Sequence, residues 1–141
     1  MGNKKIGYTT GVFDLFHIGH LNILKRAKEQ CDYLIVGVST DELVKSYKNK
    51  MPVVPYSERR AIVESIRYVD EVVPQETLDK IEALSLLNFN VLFQGDDWKK
   101  SPVYKETEKH FKKIGVEIVL FPYTQTTSST LLKKTLENII N

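Results

Sequence analysis

The run YLIVGV, Tyr33 to Val38, constrains this chain more than any other segment. It is almost continuously apolar, so a strand here cannot turn one face to water and must be covered on both sides, as in a parallel sheet. Four shorter segments repeat its character: KIGYTT from Lys5, EVV from Glu71, NVLFQ from Asn90 and EIVLF from Glu117. Amphipathic stretches lie between them, predicting helices near 20–29, 40–46, 57–67, 77–87, 104–114 and 128–140. Ser57, Thr77 and either Ser128 or Ser129 stand where N-caps belong. This alternation predicts an α/β fold, a Rossmann-like doubly wound parallel sheet of about five strands with right-handed crossovers. The stretch KSYKNKMPVVPY, 45–56, has two prolines, three lysines and no periodicity, and predicts a mobile basic loop.

With 141 residues, 42% of them hydrophobic, residues 1–141 suit one compact domain with its own core. Twenty basic against 18 acidic groups, a net charge of +2, give no reason to expect nucleic-acid or membrane binding. Cys31 is the only cysteine and cannot form an internal disulfide, as suits a reducing cytoplasm. The N-terminus has no signal-like apolar core, and Ile6 stands where a myristoylation signal wants Ser or Thr. A soluble, cytoplasmic protein is expected.

In open α/β sheets ligands bind beyond the carboxyl ends of the strands. Each polar cluster of interest follows a predicted strand: TTGVFDLFHIGH at 9–20, Ser39 to Glu42, GDDW at 95–98 and PYTQTTSST at 122–130. The first is the most informative. Two histidines three residues apart flank a glycine at a helix start, where free N–H groups favour an anion. Imidazole donors beside them suit phosphoryl chemistry, and no serine or cysteine nucleophile accompanies them to suggest acyl transfer. Asp14, His17 and His20 could also form a metal site, but no neighbouring ligand cluster supports it, and no resident metal is expected. Asp96 and Asp97 suit either a ligand contact or an Asx turn closing the strand. Asp14 suits either loop capping or a ligand contact. Trp98 suits a base contact or a cover for the core edge.

GVFDLFHIGH resembles the GxFDxxHxGH signature of the HxGH-motif nucleotidyltransferases. DYLIVGVSTDE, SERRAIVESIRYVDEVV and QGDDW are similar to segments, in the same order, of the cytidylyltransferase branch that uses glycerol 3-phosphate. The resemblance implies transfer of CMP from CTP to a small polyol phosphate, with glycerol 3-phosphate the leading acceptor and Mg2+ as cofactor. It assigns catalytic roles to His17, His20 and Lys48, with Lys45 and Lys50 as possible substitutes for the lysine. It turns Val12, Phe13, Gly19, Asp96, Ser128, Ser129 and Thr130 toward the nucleotide. It turns Asp14, Arg67 and Lys80 toward the acceptor. It also implies a homodimer through RYVDEVV and a setting in teichoic acid or capsule precursor synthesis. Tyr123 replaces an arginine of the family pattern, and Thr126 and Thr127 replace Gly-Ile. Two alternatives stay open: a cytidylyl- or adenylyltransferase with another phosphorylated acceptor, and a nucleotide-binding protein that has lost catalysis.

Overall fold

A computed structural model describes residues 4–122 and 129–140. Tyr123, Thr126, Thr127 and Ser128 lie outside the described residues. The strands are β1 Ile6–Gly11, β2 Tyr33–Ser39, β3 Glu71–Gln75, β4 Val91–Gly95 and β5 Glu117–Phe121. The helices are α1 Ile18–Glu29, α2 Asp41–Lys48, α3 Tyr56–Glu64, α4 Lys80–Leu87, α5 Tyr104–Ile114 and α6 Ser129–Ile140, with a 3-10 turn at Asp96–Lys100. All four strand pairings are parallel, in the order β3-β2-β1-β4-β5. The predicted Rossmann-like sheet of five strands is therefore the observed one.

The strand run that looked featureless in sequence still alternates. Leu34, Val36 and Val38 enter one core layer with Leu24 and Ala27 of α1 and Val63 of α3, while Ile35 enters the other with Leu84 of α4 and Phe111 of α5. Both faces of β2 are covered, which is why no polar residue interrupts it. Gly37 is the one gap in that run because a Cβ there would stand 2.5 Å from the Tyr8 hydroxyl on the neighbouring strand.

Several boundaries differ from expectation, each for a local reason. The basic stretch 45–56 begins as the last turn of α2. Thr40 caps that helix by accepting from Leu43 N, acidic residues open it, and Lys45 and Lys48 complement its carboxyl end. It stops at Asn49, which takes the left-handed conformation at φ 56°. Helix α3 is capped not by Ser57 but through space, the Asp41 carboxylate accepting from Tyr56 N at 3.2 Å. It ends at Glu64, after which turns occupy 65–69. For α4 the cap is Asp79, whose carboxylate accepts from Ile81 N and Glu82 N; Thr77 instead accepts from Asp79 N. Among the described residues no helix is long and apolar enough to cross a membrane.

The order of strands reverses between β1 and β4, the switch point at which open sheets bind ligands. The histidine stretch leaves β1, and GDDW leaves β4, on the same end of adjacent strands.

Candidate active site

Residues 12–17 carry the chain from β1 into α1 by an unusual path. Phe13 and Leu15 both adopt positive φ, 54° and 52°. That conformation costs a bulky residue about 1–2 kcal/mol, and it persists only where surroundings hold it. The Phe13 side chain supplies part of the hold, buried in the core layer beneath α1. Asp14 supplies the rest. Its carboxylate, 3% exposed, accepts from Val53 N at 2.8 Å, Val54 N at 2.9 Å and Lys133 Nζ at 2.9 Å. Its carbonyl accepts the Ser129 hydroxyl. Burial alone would raise this carboxyl, but the Val54 and Val53 amides and Lys133 outweigh it and hold it below the usual range. Asp14 thus ties the β1–α1 loop to the segment after α2 and to α6, and it also lines the crevice.

Helix α1 is capped by its own histidines. His17 Nδ1 accepts from Gly19 N at 3.0 Å, and His20 Nδ1 accepts from the His17 backbone N–H at 3.2 Å. Both Nδ1 atoms are acceptors, so each neutral ring carries its proton on Nε2. The rings are stacked with centroids 4.0 Å apart and planes at 30°, with His20 also against Phe13 and Phe16. Burial, with His17's proximity, pushes His20 down to about 4, and burial lowers His17. At neutral pH the pair offers two N–H donors and no positive charge.

These groups line a crevice of about 350 Å³. Val12, Phe13, Asp14, His17, Gly19, His20, Lys48, Ser129 and Thr130 all reach it. Lys48 ends α2 with its amine 5.7 Å from the Tyr47 ring centroid, and burial followed by the charge of Lys133 lowers it. Lys50 lines the crevice as well, whereas Lys45 does not. Asp97 lines the crevice and Asp96 does not, although both are exposed on the 3-10 turn Asp96–Lys100.

Thr10, Gly11, Val12 and Gln94 also line a second cavity of about 300 Å³. Lys80 lies there, 4% exposed, without an ion pair among the described residues. Burial pushes its amine down to about 8 despite Asp79 nearby. Trp98 walls the cavity and packs edge-on to Tyr104 at the margin of the core. Arg67 reaches neither cavity. Since α3 ends at Glu64, Arg60 and Arg67 do not share a helix face, and the Arg67 guanidinium rests 5.0 Å from the Tyr68 ring.

Sequence reading passed over two residues. Arg59 is 1% exposed and donates to Val54 O, Val12 O, Ser39 O and the Asp41 carboxylate, so one side chain joins the ends of β1 and β2 to the loop before α3. Its signal was an arginine four residues before the buried Val63 on the core face of α3. Lys133, on α6, lines the crevice while bonding Asp14; no local pattern marked it.

Known proteins resemble this chain over nearly its whole length. The family model described as Cytidylyltransferase-like matches residues 8–135. Glycerol-3-phosphate cytidylyltransferase of Bacillus subtilis is 40% identical over 132 residues, 93% of this chain and 95% of that protein. Its namesake in Staphylococcus aureus is 37% identical over 129 residues, 91% and 92% of the two chains. An FAD synthase of Pyrococcus abyssi is 37% identical over 126 residues, covering 86% and 84%. Among solved structures, a lipopolysaccharide core biosynthesis protein from Thermoplasma volcanium superposes with a TM-score of 0.71 at 22% identity, over 89% of this chain and 100% of that one. That last likeness is one of fold.

Proposed function

Because this chain belongs to the cytidylyltransferase-like family, whose model matches residues 8–135, we propose that it transfers CMP from CTP to a small polyol phosphate, glycerol 3-phosphate above all. The observation that carries this reading is the pair of stacked imidazoles at the start of α1, whose Nε2–H groups meet no acceptor among the described residues. An oxygen of the acceptor phosphate attacks the α-phosphorus of CTP, and the bond to the bridging oxygen breaks to release pyrophosphate. A phosphate monoester has its second pKa near ~6 and is already a dianion at neutral pH, so no general base is needed. What the protein must supply is position and stabilisation of phosphate charge.

His17 and His20 donate to the oxygens of the reacting α-phosphate. Neutral donors suit this step because they stabilise charge as it develops without binding the ground-state phosphate as tightly as cations would. Lys48 and Lys133 neutralise the outer phosphates, and the start of α6 at Ser129 and Thr130 offers its N–H groups to them. Val12, Phe13 and Gly19 shape the wall against which the nucleotide lies. The second cavity takes the acceptor, with Lys80 as its cation.

Among the described residues no group of three or more His, Cys, Asp or Glu side chains could hold a metal. Asp14 accepts one bond on Oδ1 and two on Oδ2, which leaves it part of its acceptor capacity, and Asp97 lines the same crevice. A Mg2+ ion accompanying CTP would meet the Asp14 and Asp97 carboxylates in this crevice and would supply neutralisation of phosphate charge. We place the reaction in the cytoplasm, in precursor supply for a glycerol phosphate polymer such as teichoic acid or capsule. We also infer a homodimer through the exposed edge strand β3 and the Arg67–Tyr68 turn, which sedimentation would test.

The deciding experiment is pyrophosphate release by the purified protein with Mg2+, crossing CTP and ATP with glycerol 3-phosphate and other phosphorylated alcohols. Release with CTP and glycerol 3-phosphate is expected. The FAD synthase relatives favour a second reading, adenylyl transfer to a flavin phosphate. Release only with ATP and flavin mononucleotide would put that reading first.

A further inference from the structure

Gln75 is the last residue of β3 and only 4% exposed, yet it lines the second cavity beside Lys80. Its Oε1 accepts the Ser39 hydroxyl at 2.6 Å. That bond ties down the amide oxygen, and no protein acceptor meets Nε2 among the described residues; since no sealed polar atom there lacks a partner, Nε2 lies open to the cavity. The amide N–H groups therefore have the cavity to donate into.

Beside the hydroxyls of Thr10, Tyr47 and Ser101, the rest of the lining carries formal charge of one sign only. Lys80 is its single charged residue, and among the described residues no carboxylate reaches it. Leu78, Trp98 and Val103 make apolar walls. A pocket with amide and ammonium donors and no anion accommodates hydroxyl and phosphate oxygens. An ammonium or quaternary amine placed there would be desolvated beside a like charge with nothing to pair it.

We propose that Gln75, held in place by Ser39, is the specificity-determining residue for the non-reacting end of the acceptor, admitting polyol phosphates and rejecting amino-alcohol phosphates. This rests on the cytidylyl-transfer reading and adds the residue that selects within it. Substituting a carboxylate at the same position changes the charge that the acceptor meets while keeping the side chain's size.

The test measures pyrophosphate release with CTP and either glycerol 3-phosphate or ethanolamine phosphate, for wild type, Gln75→Glu and Ser39→Ala. Wild type should prefer glycerol 3-phosphate by at least ~100-fold in kcat/KM, the scale on which sites built for a hydrogen-bonding group reject analogues. Gln75→Glu should raise KM for glycerol 3-phosphate by about 10-fold or more, leave KM for CTP within about twofold, and move the acceptor ratio toward ethanolamine phosphate. Ser39→Ala, which frees the amide to rotate, should shift the same acceptor KM in the same direction by a smaller factor. Unchanged acceptor KM and ratio in a folded Gln75→Glu protein overturn the proposal. If that variant does not fold, an unchanged acceptor KM in Ser39→Ala overturns it instead. Wild-type protein silent with CTP and every acceptor overturns the cytidylyl-transfer reading and this inference together. Active wild type with unaltered variants overturns this inference alone.

Discussion

His20 Nδ1 accepts the backbone N–H of His17 while His17 Nδ1 accepts that of Gly19, so the two residues at the centre of the crevice are also the cap of the helix that presents them. Capping on Nδ1 and chemistry on Nε2–H are combined in the same rings, and substitutions can separate them. His17→Ala should lose both, lowering turnover on the order of 10²-fold or more and helix stability by roughly 0.5–2 kcal/mol. His17→Asn retains a capping oxygen but has no Nε2–H. It should melt close to wild type yet turn over as poorly as His17→Ala, as steady-state rates beside thermal melts would record. Near-normal turnover in His17→Asn would remove His17 from the chemistry.

The same caps set the response to acid. Protonating Nδ1 of either ring would oppose a backbone N–H, and burial already holds His20 near 4 and His17 below its ordinary value. An unfolded chain takes up these protons near ~6.5 and the folded one only lower, so stability is full above that pH and falls as pH drops toward 4. Turnover should stay flat around neutrality and decline below ~6 with the acceptor phosphate's own protonation, the histidine pair adding a further loss only nearer 4. Nitrogen chemical shifts of the imidazoles should report the Nε2–H tautomer at pH 7. An Nδ1–H tautomer at His17 or His20, or either of these two titrating at ~7, would contradict the capping geometry.

Lys80 forms no ion pair among the described residues, and burial pushes its amine down to about 8. Its folded pKa lies below the unfolded one, so it costs stability where both states are charged, and stability rises as pH climbs from about 8 toward ~10.5. Lys80→Met should raise the melting temperature at pH 7 by removing that cost and raise the acceptor KM at least ~10-fold. An anion bound beside Lys80 raises its pKa. Acceptor binding at pH 8 should then take up protons, measurable by calorimetry in buffers of different ionisation enthalpy, and Lys80→Met should take up none.

Arg59 serves three carbonyls and the Asp41 carboxylate from a position 1% exposed. Arg59→Met leaves Asp41 and those carbonyls without their donor and should cost about 3–5 kcal/mol. Arg59→Lys should recover only part of that, since an ammonium lacks the planar fork that spans all four acceptors. Denaturant unfolding of both variants checks the order wild type, then Lys, then Met. Equal stability of all three would mean that the hub is dispensable.

Lys133 divides its amine between the Asp14 carboxylate and the crevice. Lys133→Ala should raise the KM for CTP by roughly 10-fold while moving the acceptor KM little, consistent with loss of one charge-assisted phosphate contact. Equilibrium CTP binding in the absence of acceptor separates this from a slowed chemical step.

The fold was legible because its signals are local and repeated. Apolar runs such as 33–38 and 117–121 and the amphipathic stretches between them carry their periods in every few residues, and covering each strand demands the alternation. The histidine stretch was equally plain, since the spacing of His17, Gly19 and His20 is a property of consecutive residues. Helix caps were read less well. Ser57 and Thr77 look like caps in sequence, yet Asp41 caps α3 from another helix, and Asp79 outcompetes Thr77 two residues on. A carboxylate already held nearby satisfies an amide as well as the local hydroxyl would.

By itself the sequence determined the parallel sheet, the end of it that binds ligands, and the two imidazoles placed there, because each follows from short-range pattern and chain connectivity. Only the tertiary structure decided the partners: Asp14 with Lys133, Arg59 across the ends of β1 and β2, and Gln75 with Ser39 beside Lys80. It also left Arg67 on the surface, once α3 stopped a turn early. Those pairings depend on which distant groups burial leaves without water, and a buried polar group takes the partner that the packed chain brings within about 3 Å, however far away it lies in sequence.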